Sequence, residues 1–380
     1  MRALLGLFVG ALIASSRATP LAAQAAAPRA ESCAEAAGDF PRLVACLSEP
    51  SGYFDTDNLI SNERSYLHVI GALRRAGVRG GAYVGVGPDQ NFSYIARIRP
   101  SVAFIVDIRR DNLLQHLMFR ALFGRSRNRA EYLALLLGRP TPGDVRRWSG
   151  RSADALAAYV DSTPSTEASA AAARRTVLAE VRRFGVPLSE RDLATIERFH
   201  SAFIRAGLGL QFTTSGRAPR AYYPTLRQLV LERDLDGNQA SYLASEPDFQ
   251  FVKELQRRGL VVPVVGNLAG EHALPSIGRY LQRRGERVSA FYTSNVEDYL
   301  MRDGSFSRYE RTVAALPRGP RSVIIRSYFG GGSRGTHPNA VPGYYSTQLL
   351  QRMDAFAARQ ARGGYTSYRV LVMADALPVD

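Results

Sequence analysis

Cysteine and lysine are nearly missing from this chain. Only Cys33 and Cys46 occur, and Lys253 is the only lysine among 380 residues. Two cysteines exclude a cysteine-rich zinc framework. The five histidines (His68, His116, His200, His272, His337) show no paired ligand spacing, so no metal site is expected. Beyond the N-terminus there is also no apolar run of the ~20 residues that a helix needs to cross a bilayer, so no transmembrane segment is expected there. With lysine so scarce, the formal charge of +15 is carried by arginine. The arginines are scattered, often as pairs such as Arg74-Arg75 and Arg257-Arg258. No clustered arm or aromatic-interleaved stripe stands out, and nucleic acid is not an expected partner.

What is present begins with Arg2 and the apolar run ALLGLFVGALIASS. Ala23-Gln24-Ala25 fits a small-residue cleavage site, which predicts a signal peptide over 1–25; cleavage after Ser16 is the alternative. The mature protein is then exported, periplasmic or extracellular, and loses the charges of Arg2 and Arg17. In an oxidising compartment Cys33 and Cys46 can form one disulfide; otherwise they are two buried thiols. They lie in a short segment, 26–50.

Residues 51–123 alternate helix and strand, with strands expected at Val84–Gly87 and Ala103–Ile108. Residues 124–245 are rich in arginine and alanine, with helical rhythm in EYLALLLG, ASAAAARRTVLAEVRRFG and ERDLATIERFHSAFIRAG. This stretch predicts a helical insertion, a lid or substrate-binding cap. Alternation resumes over 246–380, where LVVPVVGNL, RVSAFYTSN, SVIIRSYF and YRVLVM read as strands. The pattern predicts an α/β fold, a doubly wound Rossmann-like sheet whose parallel strands end on one rim, where ligands of this architecture bind.

The stretch YVGVGPDQNFSYIARIRPSVAFIVDIRRDN carries the main motif. Gly85 and Gly87 allow a sharp turn and close approach of a ligand at the end of the first strand. Asp107 follows Gly85 by 22 residues, at the end of the next strand, a spacing that suits a carboxylate accepting from ribose hydroxyls. A dinucleotide fingerprint requires a third glycine where Gln90 stands, which disfavours a pyrophosphate seat.

These features together resemble class I S-adenosylmethionine-dependent methyltransferases. With GYFDTDNLISNE, the same run is similar to an uncharacterised family of bacterial methyltransferase-like proteins. The resemblance covers 82–123 and about 247–330. It implies that Gly85, Gly87 and Asn91 meet the amino-acid end of S-adenosylmethionine, Asp107 its ribose and Asn267 its adenine. It also implies that Ser294 and Asn295 lie at the rim, facing cofactor and substrate. Tyr83 and Asn267 stand where that family usually has acidic residues. Two functions stay open: an exported enzyme methylating a small or lipidic acceptor, and a non-catalytic binding or envelope-associated protein on a methyltransferase-derived fold.

Other residues have competing readings. Asp57 or Ser61 could cap a following helix, or the segment from Asp55 to Tyr66 folds over the cofactor mouth and brings Asn58, Glu63 or Tyr66 to the substrate. Methyl transfer needs no obligatory base; if one is used, Glu63 and Asp89 are the candidates. His272 opens a helix near the rim and is a further substrate candidate. Gly331 to Gly335 satisfies G-x-S-x-G, but the prolines that follow forbid the helix a nucleophile elbow needs. RDLDGN lacks the glutamate of a calcium loop and reads as a polar turn.

Overall fold

Strands covered by helices on both faces read as near-continuous apolar runs. AYVG, VAFIVD and VVPVV are such runs, and every residue in them except Asp107 is buried. They form β1 (Ala82–Gly85), β2 (Val102–Asp107) and β3 (Val261–Val265) of a mixed α/β fold. The computed structural model describes residues 31–56, 58–214, 217–330 and 335–379. The sheet is completed by β4 (Val288–Ser294), β5 (Arg318–Phe329), β6 (Ser346–Arg352) and β7 (Ala376–Leu377), in the order β3-β2-β1-β4-β5-β6-β7.

The first five strands are parallel to their neighbours. From β1 the chain proceeds outward through β2 to β3, then crosses back to β4 and continues to β5. The order therefore reverses between β1 and β4. There the connections leave in opposite directions and open a crevice at the strands' carboxyl ends. The Gln90–Ile98, Arg110–Arg125 and Glu246–Arg257 helices pack against one another, as do the Ala273–Arg283, Phe306–Ala315 and Met353–Ala361 helices. Right-handed crossovers place these two groups on opposite faces.

The last two strands are antiparallel, β6 to β5 and β7 to β6, and correct the all-parallel expectation. YRVLVM is a helix, Tyr368–Met373, not the expected strand. Ser367 accepts from Val370 N–H as its N-cap, and only Leu371 and Val372 are buried. Between β2 and β3 the expected helices form, including Glu167–Arg182 and Glu190–Ala206, both opened by capping boxes. RDLDGN is a turn in which Asp234 accepts from Asn238 N–H.

Cys33 and Cys46 are bonded, joining the Glu31–Glu35 and Phe40–Leu47 helices. No helix among the described residues is long and apolar enough to cross a membrane. The expected signal peptide lies outside the described residues, as do Asp57 and all of the G-x-S-x-G run except Gly335.

Candidate functional site

A cavity of about 510 Å³ opens at the order reversal. It is lined from the ends of β1 (Val86, Gly87), β2 (Asp107, Arg109), β3 (Asn267, Leu268) and β4 (Ser294, Asn295). Phe212, Thr214 and Tyr223, from the long segment between β2 and β3, add a wall. Residues 51–56 and 58–63 cross the rim as a strap. Gly52 N–H bonds Ile108 O at 2.8 Å just beyond β2, and the strap runs on through Asn58 to Glu63.

The capping alternative fails for Ser61. The helix that follows is a short 3-10 turn, Arg64–Leu67, with no side-chain cap, and Ser61 Oγ accepts from Glu63 N–H at 3.0 Å. Left-handed backbone occurs within the strap at Asn58 (φ 49°), beside Gly87, and next to it at Ser294 (φ 52°), at the exit of β4. Such geometry costs of order 1–3 kcal/mol at a non-glycine residue and is retained where surrounding contacts enforce it.

Gly87, with φ 81°, is the turn that brings backbone to the cavity. Its carbonyl is drawn inward by Asn91 Nδ2 (3.3 Å) and His116 Nε2 (2.9 Å). Burial holds the His116 imidazole down at about 4, so at neutral pH it is uncharged and Nε2–H donates to that carbonyl. Gly85 has a different reason to be glycine. A Cβ there would lie 2.0 Å from Asn91 Oδ1 and 2.8 Å from the Tyr83 hydroxyl, which bond each other behind the turn. Gly85 and Asn91 thus shape the loop from beneath and do not line the cavity.

Asp107 lines the cavity with its carboxylate held by Arg109. Oδ1 accepts from the Arg109 backbone N–H and Nε, and Oδ2 from Nη2 at 2.9 Å. The same guanidinium reaches Thr56 O at 2.9 Å, fastening the strap to β2. Asn267 Oδ1 accepts from Ala269 N–H, and its own N–H donates to Glu49 Oε1 at 2.6 Å. Glu49 was not singled out in the sequence; its carboxylate fills the turn after β3.

Glu63 is buried at the cavity floor. Its carboxylate accepts from Tyr292 (2.6 Å), Ser294, Ser327 and Gln348 (3.1 Å), side chains of β4, β5 and β6. Gln90 Nε2 donates to Tyr292 Oη at 3.2 Å and joins this network.

Besides Gly85 and Asn91, three further expected site residues fall outside the cavity. Asp89 accepts from Tyr242 Oη at 3.2 Å in a separate void too small for a ligand. Burial pushes its carboxyl up to about 6, with the tyrosine bond opposing. Tyr66 gives its hydroxyl to Leu229 O at 3.0 Å within the core. His272 bonds Cys46 O at 2.8 Å and ties the disulfide-bearing helix to the start of the Ala273–Arg283 helix. Arg109, Tyr292, Ser327 and Gln348 were missed. Arg109 alone carried a local signal, two residues past the Asp107 strand end; the others converge only through strand order.

No curated protein matches the chain. The family model described as "Domain of unknown function (DUF7790)" matches residues 58–180 and 202–377. That span takes in the cavity lining except Tyr53, Phe54 and Thr56 of the strap. The chain belongs to this family.

Proposed function

We propose that this protein is an exported, class I methyltransferase-like protein of doubly wound, Rossmann-like design. Its rim cavity takes S-adenosylmethionine or a nucleoside of that shape and presents it to a small or lipidic methyl acceptor. One observation carries the reading: Gly87, Asp107, Asn267 and Ser294, from four successive strand ends, line a single cavity at the order reversal. The volume lies within the range of small-molecule sites.

The donor set fits the ligand. A carboxylate oxygen accepts two hydrogen bonds and Asp107 Oδ2 carries one, from Arg109, which leaves a place for a ribose hydroxyl. Asn267 keeps Nδ2 as a donor toward a purine nitrogen, and Val106, Ile108 and Leu268 supply apolar surface between the two. Gly87 alone of the three residues assigned to the amino-acid end is in position to meet it. When bound, S-adenosylmethionine supplies the electrophilic methyl; the chain's part is to hold both partners in line and exclude water.

A second reading, ligand binding without methyl transfer, is favoured by Asp89, a base candidate that turns away from the cavity. Calorimetry with S-adenosylmethionine and S-adenosylhomocysteine tests the pocket. Saturable binding that weakens about tenfold or more in Asp107→Ala is the expected result. No binding at millimolar ligand overturns both readings of the site.

A further inference from the structure

The floor of the cavity is built unlike its walls. Glu63 is 1% exposed and accepts four hydrogen bonds, all from neutral groups. Among the described residues no arginine, lysine or histidine pairs with it. Three of the four donors go to Oε2. Oε1 takes only the Ser294 hydroxyl, and both residues line the cavity.

Beside this carboxylate, Gln90 is 6% exposed, stands between this cavity and the small void beside Asp89, and its Oε1 is buried without a partner. Chemistry sets the orientation of the amide. The Tyr292 hydroxyl gives its single proton to Glu63, so it can only accept from Gln90, which must turn Nε2 toward it. Oε1 is thereby directed elsewhere.

An amide oxygen buried without a donor costs about 1–3 kcal/mol, and a carboxylate buried without a counter-charge is costly in its own right. The two deficits are joined through Tyr292, and one kind of group relieves both: a cation that carries N–H donors. A hydroxyl serves Gln90 and leaves the charge. A quaternary ammonium meets the charge but has no N–H for Gln90. Above the floor, Phe54, Phe212, Tyr223 and Tyr299 offer aromatic surface.

We propose that the cavity floor is a subsite for the primary ammonium group of a ligand with an apolar or aromatic body. Glu63 supplies the charge and Gln90 Oε1 the acceptor. The inference stands on the floor residues and holds whether or not a nucleoside occupies the walls.

The test titrates the purified full chain with 2-phenylethylammonium, 2-phenylethanol and trimethyl(2-phenylethyl)ammonium by calorimetry. The primary ammonium saturates, and the alcohol and quaternary ion bind about tenfold weaker or less. Glu63→Gln reduces ammonium binding about tenfold with the circular dichroism spectrum unchanged. Gln90→Met, which removes the Oε1 acceptor and keeps the Glu63 carboxylate, weakens the primary ammonium and leaves the quaternary ion unchanged, and keeps the proposal testable if Glu63→Gln misfolds. Equal binding of ammonium and alcohol, no saturation at tens of millimolar, or unchanged binding in a folded Glu63→Gln protein overturns the proposal. 5′-Methylthioadenosine, a nucleoside with no ammonium, is titrated in parallel, so failure of the amine subsite is separable from failure of the nucleoside reading.

Discussion

Two buried glutamates are held by side chains of this sheet, and they are satisfied in opposite ways. Glu297, on the Val296–Arg302 helix, is met by the Arg326 guanidinium of β5 and by the Tyr309 hydroxyl at 2.8 Å. Arg326 in turn gives Nη1 to Gln351 Oε1 at 2.7 Å, and Gln351 gives Nε2 to Tyr365 at 2.8 Å. Among the described residues Glu63 has hydroxyls and an amide and no cation. The first carboxylate is closed within the core and joins helix, β5 and β6. The second opens on the cavity. Burial alone therefore does not set Glu63 apart; what does is a missing counter-charge on the wall of a cavity large enough for a ligand.

The largest effect is expected where the closed pair is broken. Arg326→Met leaves Glu297 buried and uncompensated, and should cost about 3–5 kcal/mol in the urea midpoint. A loss below about 1 kcal/mol would show that the pair is not the joint described here.

A smaller effect is expected at Asp89, a third buried acid, whose partner is a tyrosine. Its carboxyl is pushed up to about 6 by burial, so the folded state binds a proton that the unfolded chain has released between its ordinary value and that point. Stability from this group is thus lost as pH rises through about 6. Asp89→Asn should be more stable than the parent by about 1–2 kcal/mol at pH 8, and the gap should close toward pH 4. Thermal unfolding across that range checks the sign.

The smallest change is expected at the open acid. Glu63→Gln removes charge without orphaning a cation, and its stability should stay within about 1 kcal/mol of the parent. A loss as large as that of Arg326→Met would erase the contrast between the two glutamates.

The five parallel strands were legible from their apolar runs, unbroken through β1, β3 and all of β2 but Asp107, and carried by AFY in β4 and VII in β5. STQLLQR, which forms β6, mixes polar and apolar residues because Gln348 and Gln351 serve the two carboxylate networks. YRVLVM misled for the opposite reason: its β-branched residues suggest a strand, yet a serine cap and two buried residues suffice for one turn of helix against the sheet. At the site, Gly87, Asp107, Asn267, Ser294 and Glu63 could be picked out by their positions at strand ends or in the polar strap. Gln90 was read only as a missing glycine. Its role depends on Tyr292, 202 residues away, and no local pattern encodes that pairing.

The separation has a kinetic side. Glu63 is reached by Tyr292, Ser327 and Gln348 across 229, 264 and 285 residues of chain. Contacts this distant in sequence form late, because the loops they close must be ordered first. The donors to the carboxylate come from β4, β5 and β6, so the cavity floor cannot be complete before all three strands are in place. A chain stopped before Gln348 has the motif of β1 and β2 complete and no finished pocket to go with it.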